Sequence, residues 1–439
     1  MHPAFKVIVW LILPYLFFNG CHTSTSNSTS NKTVFLKYEN GKYSLFRNRQ
    51  PFLIKGGSGY TNLKTLSEAG GNTIRVWDTL NLGKILDSAQ KYDLAVVVGL
   101  PMPPNKNMDV FYDDETKVSD SFKQLTAVVN RYKNHPALLC WCLGNELDFP
   151  IRPRFNKFYT AFNNLVDMIH HDDPNHPVTT TMMTFNRKNI TDIKWRTKVD
   201  FISFNIFGSI ETLKNDLVGF NWFWNGPFLI TEWGIEGPWV AEKRNAWGAY
   251  VEDSSPKKAE ELLAIYQRYM PVNNPGYLGS MVFYWGQKQE LTPTWFSLFD
   301  ENGAPTALVN TMHYIWTGKP PATKAPPIKY MLVNGMGGHD NILLKPNILA
   351  SARLFLDTPD TTGLTYKWQL IVEDWYNPNG KFSEKKPKEI SNSVVANNRP
   401  DITFKTPENE GPYRLLVYVY NRQGYMATCN TPFYVVNNP

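Results

Sequence analysis

Between residues 52 and 285, short apolar runs alternate with stretches whose apolar residues recur every three or four positions. The runs fall at 52–56, 72–77, 94–100, 137–144, 178–183, 199–205, 228–231 and 278–285. The helical periodicity is clearest at 121–132, 155–170 and 256–269, the last opening on Pro256. Runs that are apolar throughout are buried on both faces, so the pattern predicts parallel strands covered by helices. Eight strand–helix units over this length predict a (β/α)8 barrel across 34–318. Two short apolar runs flank Asn40-Gly41 at its start, a type I′ hairpin signal placed to close one end of the barrel. Gly56-Gly57-Ser58-Gly59 follows the first strand without the acidic residue that would complete a dinucleotide-binding unit, and reads as a turn.

The pattern changes after residue 318. Residues 319–327 (KPPATKAPP) form a stiff Pro-rich linker and mark a domain boundary. Beyond it, seven short runs at 330–334, 342–345, 351–356, 365–372, 402–405, 414–420 and 433–436 predict a small all-β immunoglobulin-like sandwich over 328–439. Its Trp368, in an apolar run, reads as core, with Trp375 the other aromatic that could line a sugar-binding face. At the other end, the apolar run 7–18 is too short to cross a bilayer as a helix, and with Lys6 before it reads as a signal peptide over 1–20. Asn19-Gly20-Cys21 resembles a bacterial lipobox, which implies cleavage before Cys21 and its acylation. The Ser/Thr/Asn-rich stretch to residue 33 is then a flexible tether.

Composition narrows the function classes. The 439 residues are 42% hydrophobic, as in a folded globular protein, and the net charge of +6 is spread without a basic stripe, which argues against nucleic-acid binding. Cys140 and Cys142 lie two apart on one strand face with no second pair, a poor metal site and no disulfide framework. No metal motif is present, and no cofactor or metal is expected.

In a barrel of this kind the site is built where strands end at the C-terminal face, so polar residues that end an apolar strand are the candidates. Two glutamates do so. Glu146 ends the fourth strand in Leu143-Gly144-Asn145-Glu146, and Glu232 ends the seventh in Ile230-Thr231-Glu232-Trp233-Gly234. Strands four and seven lie across the barrel, so the two side chains can converge. Paired carboxyls of this sort suit glycosidic cleavage, where one protonates the leaving oxygen and the other, ionised, attacks or stabilises the oxocarbenium-like centre. A separation near 5 to 5.5 Å would mean a retaining double displacement.

Here the sequence resembles the barrels of glycoside hydrolase clan A, most closely family 2, which has Asn-Glu ending strand four and Thr-Glu-aromatic-Gly ending strand seven. Asn72-Thr73-Ile74-Arg75-Val76-Trp77 is similar to that family's arginine strand, and Asp173-Pro174-Asn175-His176-Pro177 fits its turn into strand five. The resemblance implies Glu146 as acid/base, Glu232 as nucleophile and Asn145 as partner of the sugar 2-hydroxyl. Arg75 is the candidate cation that keeps Glu232 ionised while Glu146 stays protonated. Trp285, ending strand eight, stands where clan members place an aromatic platform, with Trp77, Trp233, Trp239 and Trp295 as further sugar-stacking candidates. Asn205, ending strand six, is a further substrate contact, and Phe207 follows where the family often has a tyrosine. The polar segment 287–295 is expected to shape the cleft.

The expected protein is a monomeric, retaining β-glycoside hydrolase, lipid-anchored in a bacterial cell envelope and acting on a β-linked oligo- or polysaccharide. One barrel followed by an immunoglobulin-like domain resembles bacterial endo-β-1,3-glucanases such as those of glycoside hydrolase family 158, which points to β-1,3-glucan. The alternative is a non-catalytic glycan-binding lipoprotein on the same scaffold.

Overall fold

The computed structural model describes residues 32–239, 244–373, 385, 387–391, 393–394 and 398–437. The expected signal peptide, Cys21 and Trp375 therefore lie outside the described residues. Among the described residues no helix is long and apolar enough to cross a membrane.

The chain opens with β1 (Val34–Glu39) and β2 (Lys42–Arg47), antiparallel and joined at Asn40-Gly41 with φ of 53° and 78°, as a type I′ turn requires. A two-residue β3 (Gln50–Pro51) completes a three-stranded sheet. Its hydrogen bonds reach Asn175, Pro275 and, through the Arg47 guanidinium, Pro136, each just ahead of a barrel strand. Val34 and Leu45 pack with the barrel interior. The sheet thus closes the N-terminal mouth, leaving the opposite mouth for chemistry.

Eight parallel strands form the closed barrel: β4 (Ile54–Ser58), β5 (Thr73–Val76), β6 (Ala95–Leu100), β7 (Leu138–Leu143), β8 (Val178–Met183), β9 (Phe201–Asn205), β10 (Phe228–Trp233) and β11 (Tyr277–Phe283). Around them run α1 (Leu63–Glu68), α2 (Leu82–Lys91), α3 (Met108–Tyr112), α4 (Glu115–Tyr132), α5 (Asn156–Asp172), α6 (Arg187–Arg196), α7 (Ile210–Phe220), α8 (Ser255–Tyr269) and α9 (Ala307–Thr317). Side chains alternate across each strand. One set, with Val97, Cys140, Cys142 and Met281, fills the interior, and the other packs beneath the helices. Both cysteines are buried, as small apolar fillers, and burial raises their thiol pKa values. The turn before β8 is held by Asp173, whose carboxylate accepts from Trp141 Nε1 at 2.8 Å and faces His176 Nδ1 at 2.9 Å.

After α9 the Asn310 carboxamide bonds to Thr323 and Ala325, holding the Pro-rich segment against the barrel. The sandwich follows. One sheet has β12 (Ile328–Val333), β14 (Leu349–Leu356) and β16 (Asp401–Lys405); the other has β13 (Leu343–Leu344), β18 (Met426–Val435), β17 (Gly411–Tyr420) and β15 (Thr365–Val372). Trp368 is core between them, its Nε1 donating to the Arg399 carbonyl. The described residues from 32 onward group into one compact unit, so the linker marks a change of architecture within it.

Candidate active site

The C-terminal ends of β5, β7, β9 and β10 bring six of the expected site residues, Arg75, Trp77, Asn145, Glu146, Asn205 and Glu232, into one hydrogen-bonded group. Arg75 rises from the interior of β5 and is 1% exposed. Its Nη1 donates to Glu232 Oε1 at 2.5 Å and to Asn205 Oδ1 at 3.1 Å, and its Nη2 to Asn145 Oδ1 at 2.6 Å. Asn205 Oδ1 also accepts from the Thr231 hydroxyl, while its Nδ2 donates to Glu146 Oε1 at 2.9 Å and Asn145 Oδ1 at 3.2 Å. The amide's two ends thus face opposite partners, oxygen to donors and nitrogen to acceptors. A continuous path of hydrogen bonds runs from Glu232 through Arg75 and Asn205 to Glu146.

Glu146 reaches this group because β7 ends abruptly. Gly144 and Glu146 both take left-handed backbone, with φ of 72° and 54°. For a glutamate that conformation is uncommon and needs support. Asn105 supplies it, donating to the Glu146 carbonyl at 2.9 Å and accepting from the Asp148 amide at 2.8 Å. Asn145 has its carboxamide oxygen occupied, so its Nδ2 group is the end available to a ligand.

Glu232 is 6% exposed, and burial pushes its carboxyl above the usual glutamate range. Arg75 and the Trp77 indole, which donates to Glu232 Oε1 at 2.8 Å, pull the other way, while the Glu146 charge adds to the rise. Arg75 is thus the cation facing Glu232, but its pull is smaller than the cost of desolvating the carboxylate. Trp77 supplies the second donor that a tyrosine near Asn205 would have given. Phe207, at that place, instead packs on Phe283 and Phe296.

Three expectations are corrected. Trp285 is fully buried beneath the helices, against Phe299 and Trp316 with ring centroids 5.2 and 5.5 Å away. It lies over Gly57, where an added Cβ would sit 2.6 Å from Trp285 Cβ, so it forms no platform at the mouth. The cause is the end of β11 at Phe283: Tyr284 turns to bond Phe296, and the Trp285 amide bonds back to Ser58. Trp233 is also fully buried, packed on Tyr266 of α8 with centroids 5.6 Å apart. It follows Glu232 directly, so strand alternation sends it outward. Trp295, 2% exposed, donates its Nε1 to the Glu236 carbonyl and belongs to the loop packing.

The aromatic wall is built from other residues. Trp77 stacks on Tyr284 at 5.9 Å and 14° and meets the edge of Phe283. Phe283 leads to Phe207 and Phe296, and both touch Trp239, which is 50% exposed at the rim. Tyr284 was within reach of sequence reasoning, being next to Trp285 in the strand-eight run. Asn105 and Phe296 carried no local signal.

Trp77→Phe keeps the ring and removes the hydrogen bond to Glu232. A hydrogen bond to a charged group contributes about 1.5–3 kcal/mol, so kcat/KM of the variant is expected to fall about tenfold or more, as steady-state kinetics would measure.

Comparison with known proteins agrees with the barrel fold. Residues 66–237 match the family model described as glycosyl hydrolases family 2, TIM barrel domain, a span that holds Arg75, Asn145, Glu146, Asn205 and Glu232. No match is found among curated proteins. A solved β-glucuronidase of Ruminococcus gnavus is similar at TM-score 0.51 and 17% identity, covering 66% of this chain and 53% of that one. β-Glucuronidase 2 of Bacteroides uniformis gives 0.50 and 13%, covering 92% and 48%. The endo-β-1,4-mannanase of Thermotoga petrophila gives 0.45 and 14%, covering 89% and 99%. The chain spans about half the length of the two glucuronidases. At such identities the two glucuronidase structures speak for the fold alone, while the family match speaks for the barrel's type. Over residues 66–237 the chain is thus similar to the glycosyl hydrolases family 2 TIM barrel domain, in keeping with its closed eight-stranded barrel.

Proposed function

We propose that the protein is a retaining β-glycosidase of the cell envelope, acting on a neutral β-glycan, with β-1,3-glucan the favoured substrate. The observation that carries the catalytic reading is the path Glu232–Arg75–Asn205–Glu146, which places two carboxyls in different surroundings at one mouth of the barrel. In the first step the Glu232 carboxylate attacks the anomeric carbon as Glu146 gives its proton to the departing glycosidic oxygen. A glycosyl ester on Glu232 results. In the second step Glu146, now ionised, takes a proton from water, which attacks the same carbon and releases Glu232. Asn145 Nδ2 would hold the sugar 2-hydroxyl through both steps.

A neutral sugar is favoured because, among the described residues, the cations beside the site are already committed. Arg75 lies behind Glu232 and Asn145, and Lys288, over the Phe283 ring, pairs with Glu290 at 3.5 Å. The preference for β-1,3-glucan rests on the one-barrel, one-sandwich layout. Attachment to a membrane would come from acylation of Cys21.

The test is hydrolysis by the protein lacking residues 1–33 of a panel spanning β-1,3- and β-1,4-glucans, β-mannan, β-galactosides and an aryl β-glucuronide. Cleavage of β-1,3-glucan with retention, followed by proton NMR of the newly formed anomer, is the expected result. Turnover confined to the glucuronide would overturn the neutral-glycan reading, and an inverted first product would overturn double displacement. Globomycin-sensitive processing and palmitate labelling of the full chain, lost in Cys21→Ser, would test the anchor.

A further inference from the structure

The seam between barrel and sandwich holds a buried charged network that the catalytic group does not use. Glu252, ahead of α8, is 5% exposed and its carboxylate is saturated. Oε1 accepts from Lys258 Nζ at 2.5 Å and the Thr294 hydroxyl at 2.7 Å; Oε2 accepts from the Thr292 hydroxyl at 2.6 Å and Asn430 Nδ2 at 2.7 Å. Lys258 spends its other protons on the carbonyls of Thr294 and Trp295. From the sandwich, Arg414 of β17 pairs in bidentate fashion with Glu373, donates to Asn430 Oδ1 and reaches the Tyr250 carbonyl at 2.7 Å.

Such a network is a costly way to join two domains. Buried ion pairs contribute little net stability compared with apolar packing, but they fix geometry when every partner is satisfied. What is fixed here is the segment after β11. Thr292, Thr294 and Trp295 are gripped from the seam side, and the next residue, Phe296, turns its ring into the aromatic wall against Phe283, Phe207 and Trp239. The Phe296 carbonyl also accepts from the Tyr284 amide, where the wall adjoins Trp77 and Glu232.

We propose that the C-terminal sandwich is a working part of the substrate cleft: Asn430 and Arg414, through Glu252, are positioning residues that hold the 292–296 segment so that the buried Phe296 ring backs Trp239, whose half-exposed ring can bind a sugar unit away from the cleaved bond. This rests on the glycosidase reading of the barrel. It assigns the sandwich a role in recognising chain length, exerted from behind the wall and without touching substrate.

The gentlest test is the double variant Thr292→Val/Thr294→Val. It removes both hydroxyl links while leaving Glu252 paired with Lys258 and Asn430, so no charge is stranded. KM for a long oligosaccharide is expected to rise about tenfold, while kcat and KM on a small aryl glycoside of the same sugar stay within about twofold. Thr292→Ser/Thr294→Ser, which restores the hydroxyls, should return KM to the wild-type value. Arg414→Met is the stronger variant and should show the same split if it folds; the threonine pair decides the matter if it does not. Equal loss on long and short substrates, tracking the folded fraction seen by circular dichroism, would reduce the network to a structural joint and overturn the proposal. Wild-type protein that cleaves nothing in the panel would instead overturn the glycosidase reading beneath it.

Discussion

Glu232→Gln is expected to abolish turnover, because an amide cannot supply the carboxylate that attacks the anomeric carbon, and nothing else in the hydrogen-bonded group can replace it. Glu146→Gln is expected to lower kcat by about 10²–10⁴-fold, the range for losing a positioned proton donor. The two losses have different signatures. Glu146 is needed most by a poor leaving group, so its variant should retain far more activity on an activated aryl glycoside than on a glycan. A small anion such as azide separates them further. With Glu146→Ala it should intercept the glycosyl ester and give a β-glycosyl azide, whereas with Glu232→Ala it can enter only the face the carboxylate has vacated and give the α product. Product NMR reads this directly, and β-azide from the Glu232 variant would refute the assignment of the two roles.

Arg75→Met should be the most damaging change to stability, and should lower activity as well. It leaves the Glu232 carboxylate buried without its cation, and breaking a buried pair in this way costs about 3–5 kcal/mol. The pH dependence follows from the direction of the Glu232 shift. Burial already raises its pKa, so in the wild type the acid limb of kcat/KM should lie above the ordinary glutamate range, since only the ionised form attacks. Removing Arg75 takes away the main opposing pull, and the limb should move further towards neutral pH. Stability should follow the same sign. A carboxyl with a raised folded-state pKa is best tolerated protonated, below its unfolded-state pKa, and costs stability as pH rises through the folded value. The Arg75→Met melting temperature should therefore be furthest below wild type at neutral pH and closest in acid. The double variant Arg75→Met/Glu232→Gln should recover much of the loss, a coupling that thermal melts over a pH series would measure.

The seam carboxylate behaves oppositely. Burial alone would raise the Glu252 pKa, but Lys258 and the surrounding donors outweigh it and hold it low. Its contribution to stability is present above the ordinary glutamate range and lost only as pH falls below it. Glu232 and Glu252 are both buried glutamates facing a cation, and the fuller set of donors around Glu252, on both of its oxygens, goes with the opposite direction of its shift.

Much of this protein is legible along the chain because the relevant physics is local. Six-residue apolar runs between amphipathic helices cannot be satisfied except by a covered parallel sheet, so the barrel follows, as does the closing hairpin from Asn40-Gly41. A carboxylate that ends such a run must either emerge at the C-terminal mouth or be buried at great cost, which is why Glu146 and Glu232 stood out, with Arg75, Asn145 and Asn205 beside them. Direction at a strand end is a different matter. The pairing of β10 shifts register between Ile230 and Trp233, and β11 stops at Phe283, so whether Trp233 or Trp285 faced the mouth depended on where each strand let go. The aromatic wall and the seam depended on contacts still further apart: Asn430 meets Glu252 across 178 positions, and Phe296 reaches Phe207 from another loop. The chain by itself determined the barrel, the sandwich and the two carboxyls, because periodicity and burial are decided among near neighbours. The closed tertiary structure alone decided which aromatics line the cleft and how the sandwich holds them, because those pairings exist only once distant segments are brought together.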